Sequence, residues 1–347
     1  MITLSSLVAA LSLCSPQEPR PACSFEIFDL EGTPCVLSLE GLGSQSPKWR
    51  AFDANSANVE IFTIGVPKST YEYPKGSRAS FVSLSGQRFL AAFDGIGSSL
   101  GTRFALGRRE DAESGVEFVM SKKRLELVAW REGEVWMHGT DLIRPSLFWM
   151  EDSLRMMVCH SNGNTVFLSD PGAIGSFLEL GIDPNEAEIR TATIQHHDEE
   201  DAKSGDYCIA GQVIVKGSNP RGCVIGRELF VAVEDLDVLT EPSTVSIYSG
   251  TGAAPWASIS LPDNLVRPWN EWNIAAGQNG LLFLGATSDG VDLSCQVWEF
   301  SISNREWQEV VPLVVLPQAV RARAHWTRGQ GTPSIMFRRA DGVLETK

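Results

Sequence analysis

A chain of 347 residues carrying a net charge of −14 and a pI of about 4.9 repels phosphate backbones, which excludes nucleic acid as a partner. With 43% hydrophobic and 21% charged residues it has the composition of a globular protein with a large core, not of a disordered chain. Ten tryptophans are many for this length, and flat apolar faces of that kind fill β cores and also line sugar sites.

In chain order, the first element is the apolar run from Ile2 to Cys14, followed by a Pro-rich polar stretch. Such a run is too short to cross a bilayer as a helix. It predicts a secretory signal or an inert tail over 1–22, and so an exported protein with a single folded domain over 23–347. Leu11-Ser12-Leu13-Cys14 has the outline of a lipoprotein cleavage box, the lesser alternative. The next segment, CSFEIFDL-EGTP-CVLSLEGL, reads as a hairpin. Cys23 and Cys35 flank it, and Cys208 and Cys223 flank another, so each pair is either a bridge or two buried apolar thiols.

From Ser80 onward a unit recurs: apolar strand, tight turn, apolar strand, Gly-rich turn, strand. Copies start at Ser80, Pro145, Tyr207, Asn273 and Pro333, 60 to 66 residues apart. Between 110 and 140 the segments GVEFVMS, RLELVAW and EVWMHG supply more strands than one copy needs. A short helix is the reading for 184–191, and HHDEEDAKSGD over 196–206 reads as a solvated acidic loop in preference to a metal site. Long helical periodicity is absent, which excludes a parallel α/β fold.

Antiparallel meanders repeated at this period are the pattern of propeller blades. The last copy holds two strands and the N-terminal hairpin holds two more. The expectation is therefore an all-β propeller of five blades, its ring closed by N- and C-terminal strands sharing one blade. Six blades follow if the surplus at 110–140 forms a blade of its own, and a β-sandwich or a two-domain arrangement is the remaining alternative.

In a propeller the residues just ahead of each innermost strand reach the channel mouth. Taking the copy starts as innermost strands puts Asp141, Asp206 and Glu271 in similar places, with Arg78, Arg144, Trp269, Trp272, Trp326 and Arg328 around them. Glycoside hydrolysis needs two carboxylates whose pKa values are held apart, and a third tunes the acid. The competing reading makes them turn-capping carboxylates. No nucleophile elbow, phosphate loop or zincin helix is present, and the reading calls for no cofactor and no metal.

Residues 138–177 carry Arg144-Pro145-Ser146 ahead of a strand, an acidic turn, a second strand and Ser169-Asp170-Pro171. This stretch resembles a blade of the five-bladed propeller glycoside hydrolases of the arabinofuranosidase/xylosidase and fructosidase type. The resemblance implies an Asp base and a Glu acid, which fall on Asp141 and Glu271. Sialidase-like propellers are the second likeness. They bind a substrate carboxylate with three arginines, for which Arg78, Arg144, Arg267, Arg323 and Arg328 are available. The functional expectation is an exported, monomeric propeller with a carbohydrate-directed central site, of glycoside-hydrolase type. The alternative is a non-catalytic propeller that binds a protein or a glycan.

Overall fold

A computed structural model describes residues 25–30, 33–40, 48–65, 79–84, 88–93, 102–109, 116–120, 125–132, 135–140, 142–160, 165–169, 207–234, 245–251, 256–262, 265, 271–327 and 331–347. Among these residues the chain is all strand, with no helix, so none is long and apolar enough to cross a membrane. The proposed helix at 184–191, the acidic loop at 196–206 and the N-terminal segment lie outside the described residues.

The strands form a six-bladed propeller, the second of the two blade counts expected. Blade 1 is β1–β4 (Phe25–Leu30, Thr33–Glu40, Lys48–Asp53, Ser56–Gly65). Blade 2 is β5–β8 (Ala79–Leu84, Arg88–Phe93, Arg103–Arg109, Val116–Met120). The segment between them and blade 3 holds β9 (Leu125–Glu132) and β10 (Val135–Thr140). Blade 3 is β11–β14 (Leu142–Met150, Ser153–His160, Val166–Ser169, Tyr207–Val215) and blade 4 is β15–β18 (Ser218–Ile225, Glu228–Glu234, Val245–Gly250, Ala257–Ile259). Blade 5 is β19–β22 (Glu271–Ala276, Gly280–Ser288, Leu293–Ser301, Trp307–Leu316) and blade 6 is β23–β25 (Ala319–His325, Ser334–Arg339, Leu344–Thr346). The innermost strands β1, β5, β11, β15, β19 and β23 each pack against the next, and β23 returns to β1.

Three expectations change. The count of five fails because the N-terminal hairpin is completed by β3 and β4 into a blade of its own. The N- and C-terminal strands therefore lie in neighbouring sheets rather than in one shared sheet. The surplus at 110–140 forms no blade: β8 completes blade 2, while β9 and β10 extend the outer edge of blade 3, β9 running parallel to β14. The copies starting at Tyr207 and Pro333 do not begin with innermost strands, since β14 is the fourth strand of blade 3 and β24 the second of blade 6.

Apolar slabs between blades hold the ring together. Val82, Leu90 and Phe104 of blade 2 pack on Leu147, Met156 and Phe167 of blade 3. Phe148 and Met157 meet Leu229 and Val231 across blades 3 and 4. Phe230 and Ile247 meet Trp272 and Phe283 across blades 4 and 5, and Leu284 and Val297 meet Ala322 and Phe337 across blades 5 and 6. A blade buries both of its faces in this way, which is why GLLFLGATS is an unbroken buried run for seven residues instead of an alternation.

An innermost strand leaves N–H groups unpaired on its channel edge. The neighbouring blade supplies acceptors for them. Ser80 Oγ takes the Leu147 amide at 2.8 Å, Ser146 Oγ the Gly222 amide at 3.3 Å, and Asn273 Oδ1 the Ala324 amide at 3.3 Å.

Blades 6 and 1 meet through Phe25, Val36, Phe52 and Met336 and through a polar knot. Asn55 Oδ1 accepts from Thr327 Oγ1 and from His325 Nε2, the latter at 3.2 Å. With its proton on Nε2, the ring leaves Nδ1 buried as an unprotonated nitrogen. Burial pushes the His325 pKa from 6.5 down to about 4, and Asp53 opposes that shift. Above pH 6.5 the ring is neutral in folded and unfolded chains alike. Between 6.5 and 4 only the unfolded chain takes the proton, so stability falls with pH, by roughly 3 kcal/mol in all at the limit of low pH. Urea unfolding of wild type and His325→Gln at pH 7 and pH 4 should therefore show the wild type losing ground on the variant as pH drops. A difference independent of pH would contradict the burial of a neutral ring.

Cys223 and Cys295 are free thiols, so the Cys208–Cys223 bridge is not made; Cys23 lies outside the described residues. Burial pushes both thiols up to about 12, Glu271 adding to the shift of Cys295, which keeps them protonated and chemically quiet.

Candidate functional site

Charged side chains from four innermost strands converge in the hub. Arg221 of β15 reaches Glu26 of β1 at 3.1 Å. These strands belong to blades 4 and 1, which stand opposite each other in the ring, so this ion pair spans the channel. Arg323 of β23 pairs with Glu271 of β19 and lies 3.8 Å from the second oxygen of Glu26. Arg321, one turn of the pleat earlier, pairs with Glu271 Oε2 at 2.8 Å. The alternation of β23 puts Arg321 and Arg323 on one face, and both therefore meet the same carboxylate.

The hub is dry. The Arg323 side chain is 4% exposed and that of Glu271 8%. Arg221 lies over the Trp272 ring at 5.3 Å, and Arg323 faces Phe25 at 5.9 Å. Burial pulls the Arg221 guanidinium below its ordinary range; Glu26 opposes this and Arg323 adds to it. Among the described residues three guanidinium groups meet two carboxylates here. Charges taken out of water this way persist only when paired with good geometry.

A second cluster lies beside the hub at the mouth where the innermost strands begin. Glu234 closes β16 opposite Ser218, the first residue of β15. Its Oε1 accepts the Trp272 indole N–H at 2.9 Å and the Asn219 amide at 2.8 Å. Its Oε2 faces Arg144 at 3.9 Å, beyond hydrogen-bond reach. Arg144 and Asn219 both have positive φ, 56° and 51°. Each precedes a proline, Pro145 or Pro220, and each sits in a register shift near the start of its innermost strand.

Of the residues singled out from sequence, the structure brings Glu271 together with Arg323 in the hub, and Trp272 together with Arg144 around Glu234. Glu271 and Trp272 are neighbours on β19 and point to opposite faces: Glu271 toward blade 6, Trp272 toward blade 4. Trp326 packs instead on the apolar slab between blades 5 and 6. Asp141, Asp206, Arg78, Trp269 and Arg328 lie outside the described residues. Sequence reasoning passed over Glu26, Arg221, Asn219 and Glu234. One signal for them was available: Asn219-Pro220 repeats the Arg144-Pro145 step at the same place in the next blade.

No family model and no curated protein matches the chain. Solved structures do. An α-L-arabinanase from Penicillium chrysogenum complexed with arabinobiose superposes with a TM-score of 0.51 at 11% identity, over 95% of this chain and 94% of that one. A polysaccharide lyase, an ulvan lyase, gives 0.48 at 10% identity over 95% and 91%. The SapL1 lectin in complex with alpha methyl fucoside gives 0.46 at 10% identity over 92% and 89%. At these identities the likeness to the arabinanase establishes the propeller fold.

Proposed function

We propose that this protein is an exported, carbohydrate-directed propeller whose ligand sits at the channel mouth. The observation that carries the reading is the convergence of Arg144, Asn219, Glu234 and Trp272 from three blades onto one spot, above a hub already closed by ion pairs. A paired carboxylate and guanidinium are what a sugar's hydroxyls require, and the buried Trp272 indole serves them by fixing the carboxylate with its N–H. The solved arabinanase of the same fold is complexed with arabinobiose, which supports a sugar as the ligand.

Binding without turnover is the mode the geometry favours. In a hydrolase of this kind Glu271 would donate the proton, Asp141 would act as base and Asp206 would tune the acid. A proton donor must present an oxygen to the leaving group, and each oxygen of Glu271 faces an arginine, Oε1 Arg323 and Oε2 Arg321. The test is a glycan microarray together with a panel of chromogenic glycosides, for wild type and Glu271→Gln. We expect sugar binding on the array and no chromophore release. Release that is abolished in Glu271→Gln would establish the hydrolytic mode instead. A protein that neither binds nor hydrolyses any sugar would end the carbohydrate reading.

A further inference from the structure

We propose that Glu234 is the carboxylate that holds the ligand, with Arg144 as its partner, and that the pair grips a hydroxyl of a neutral sugar. This rests on the carbohydrate reading above and goes further by naming the gripping residues and the class of sugar.

The two oxygens of Glu234 are in different situations. Oε1 is anchored by two neutral donors, Trp272 and Asn219, from blades 5 and 4. Those bonds set the plane and direction of the carboxylate without neutralising its charge. Oε2 points to Arg144 with 3.9 Å between them. The gap is too wide for a direct hydrogen bond, yet one oxygen atom fits it well. An atom about 2.8 Å from both groups would see them at nearly a right angle, a geometry open to a hydroxyl that donates to Oε2 and accepts from the guanidinium. A sugar hydroxyl does both at once. A ligand carboxylate or phosphate at the same spot could satisfy Arg144 but would face the charge of Glu234 with no proton to offer it. The pair is accessible, its side chains being 40% and 22% exposed, in contrast to Arg323 and Glu271 in the hub.

The backbone carries an independent sign. Arg144 and Asn219 hold left-handed conformations immediately before proline, where the preceding residue is driven toward extended geometry. Left-handed backbone is unusual for arginine. The bulges at Ile143/Ser146 and Ser218/Arg221 recur in adjacent blades, and both turn their bulged side chain onto the same carboxylate. Bulges that re-aim side chains gather next to working sites, and strain of this kind persists where the surroundings over-determine it.

The variant Glu234→Gln isolates the idea. Its amide oxygen can still accept from Trp272 and Asn219, while an NH2 group replaces Oε2 and faces Arg144 as a second donor. We expect an unchanged unfolding midpoint and sugar binding weakened about ten- to a hundred-fold, the loss of one hydrogen bond to a charged group. Binding would be read on an array of neutral and uronic-acid oligosaccharides and then by titration calorimetry with the best neutral oligosaccharide. Arg144→Met, a second variant, should show a similar loss. Wild type binding a neutral sugar while both variants bind it equally well overturns this assignment and leaves the carbohydrate reading standing. Preference for uronic-acid glycans overturns the neutral-sugar class. Absence of all binding by wild type removes both.

Discussion

Replacing Arg323 with methionine is expected to lower the free energy of unfolding by about 3–5 kcal/mol, the usual penalty for taking one partner from a buried ion pair. Arg323 is the group that joins Glu271 of blade 5 to Glu26 of blade 1. Without it two carboxylates share the same dry hub and retain one guanidinium each, Arg321 and Arg221. Adding Glu271→Gln to Arg323→Met removes one of those charges, so the double variant should recover a good part of the loss. Urea denaturation of the single and double variants measures both numbers. The surface pair Arg50–Glu60, whose side chains are about one-third exposed, is the control: Arg50→Met should change stability by about 0–1 kcal/mol and lose even that in salt. If Arg323→Met behaved like Arg50→Met, the hub would be a solvated channel and the ion pairs that close it would be incidental.

The second large effect is expected at Phe283. Its side chain is fully buried between blades 4 and 5, beside Phe230 and Trp272 and edge-on to Trp307 at 6.4 Å between ring centres. Truncation to alanine removes the ring and leaves a void between sheets that cannot close on each other, since both are held by their own ladders. A loss of about 3–5 kcal/mol follows, with Phe283→Leu losing much less. Leu313, 54% exposed on the outer strand β22, should tolerate alanine within about 0.5 kcal/mol. Thermal unfolding by calorimetry separates the three. Equal midpoints for Phe283→Ala and Leu313→Ala would show that the slab between these blades carries no packing energy.

Strand content and the radial repeat were readable because a blade buries both faces, and its strands are therefore written as continuous apolar runs. The number of blades was not. β3 and β4 carry Lys48, Arg50, Asp53 and Glu60, so their strand signal is diluted by charge and the N-terminal hairpin looked complete at two strands. The same uniform burial hid which strand is innermost: YCIAGQVIV is as apolar as any hub strand, yet it lies at the outer side of blade 3. Within the site, Glu271 was legible from its place at the head of a strand. Arg221 and Glu26 were not, because they stand 195 residues apart and no local pattern encodes a contact across the diameter of a ring. Glu234 was hidden for a related reason. It ends a second strand, and only the three-dimensional meeting of blades 3, 4 and 5 turns it toward the mouth.

The wheel is also unequal around its rim. Blades 1 and 2 are joined by main-chain pairing between β4 and β8, Ile64 with Val116 and Gly65 with Glu117, and so make one eight-stranded sheet. Blades 6 and 1 touch only through side chains among the described residues. The first two sectors are therefore expected to loosen together, while every other junction, that between blades 6 and 1 included, parts without breaking a ladder among the described residues. Like a bracelet with one soldered link, the wheel resists opening most between its first two sectors, and acid, by charging His325, weakens the clasp where the last blade meets the first.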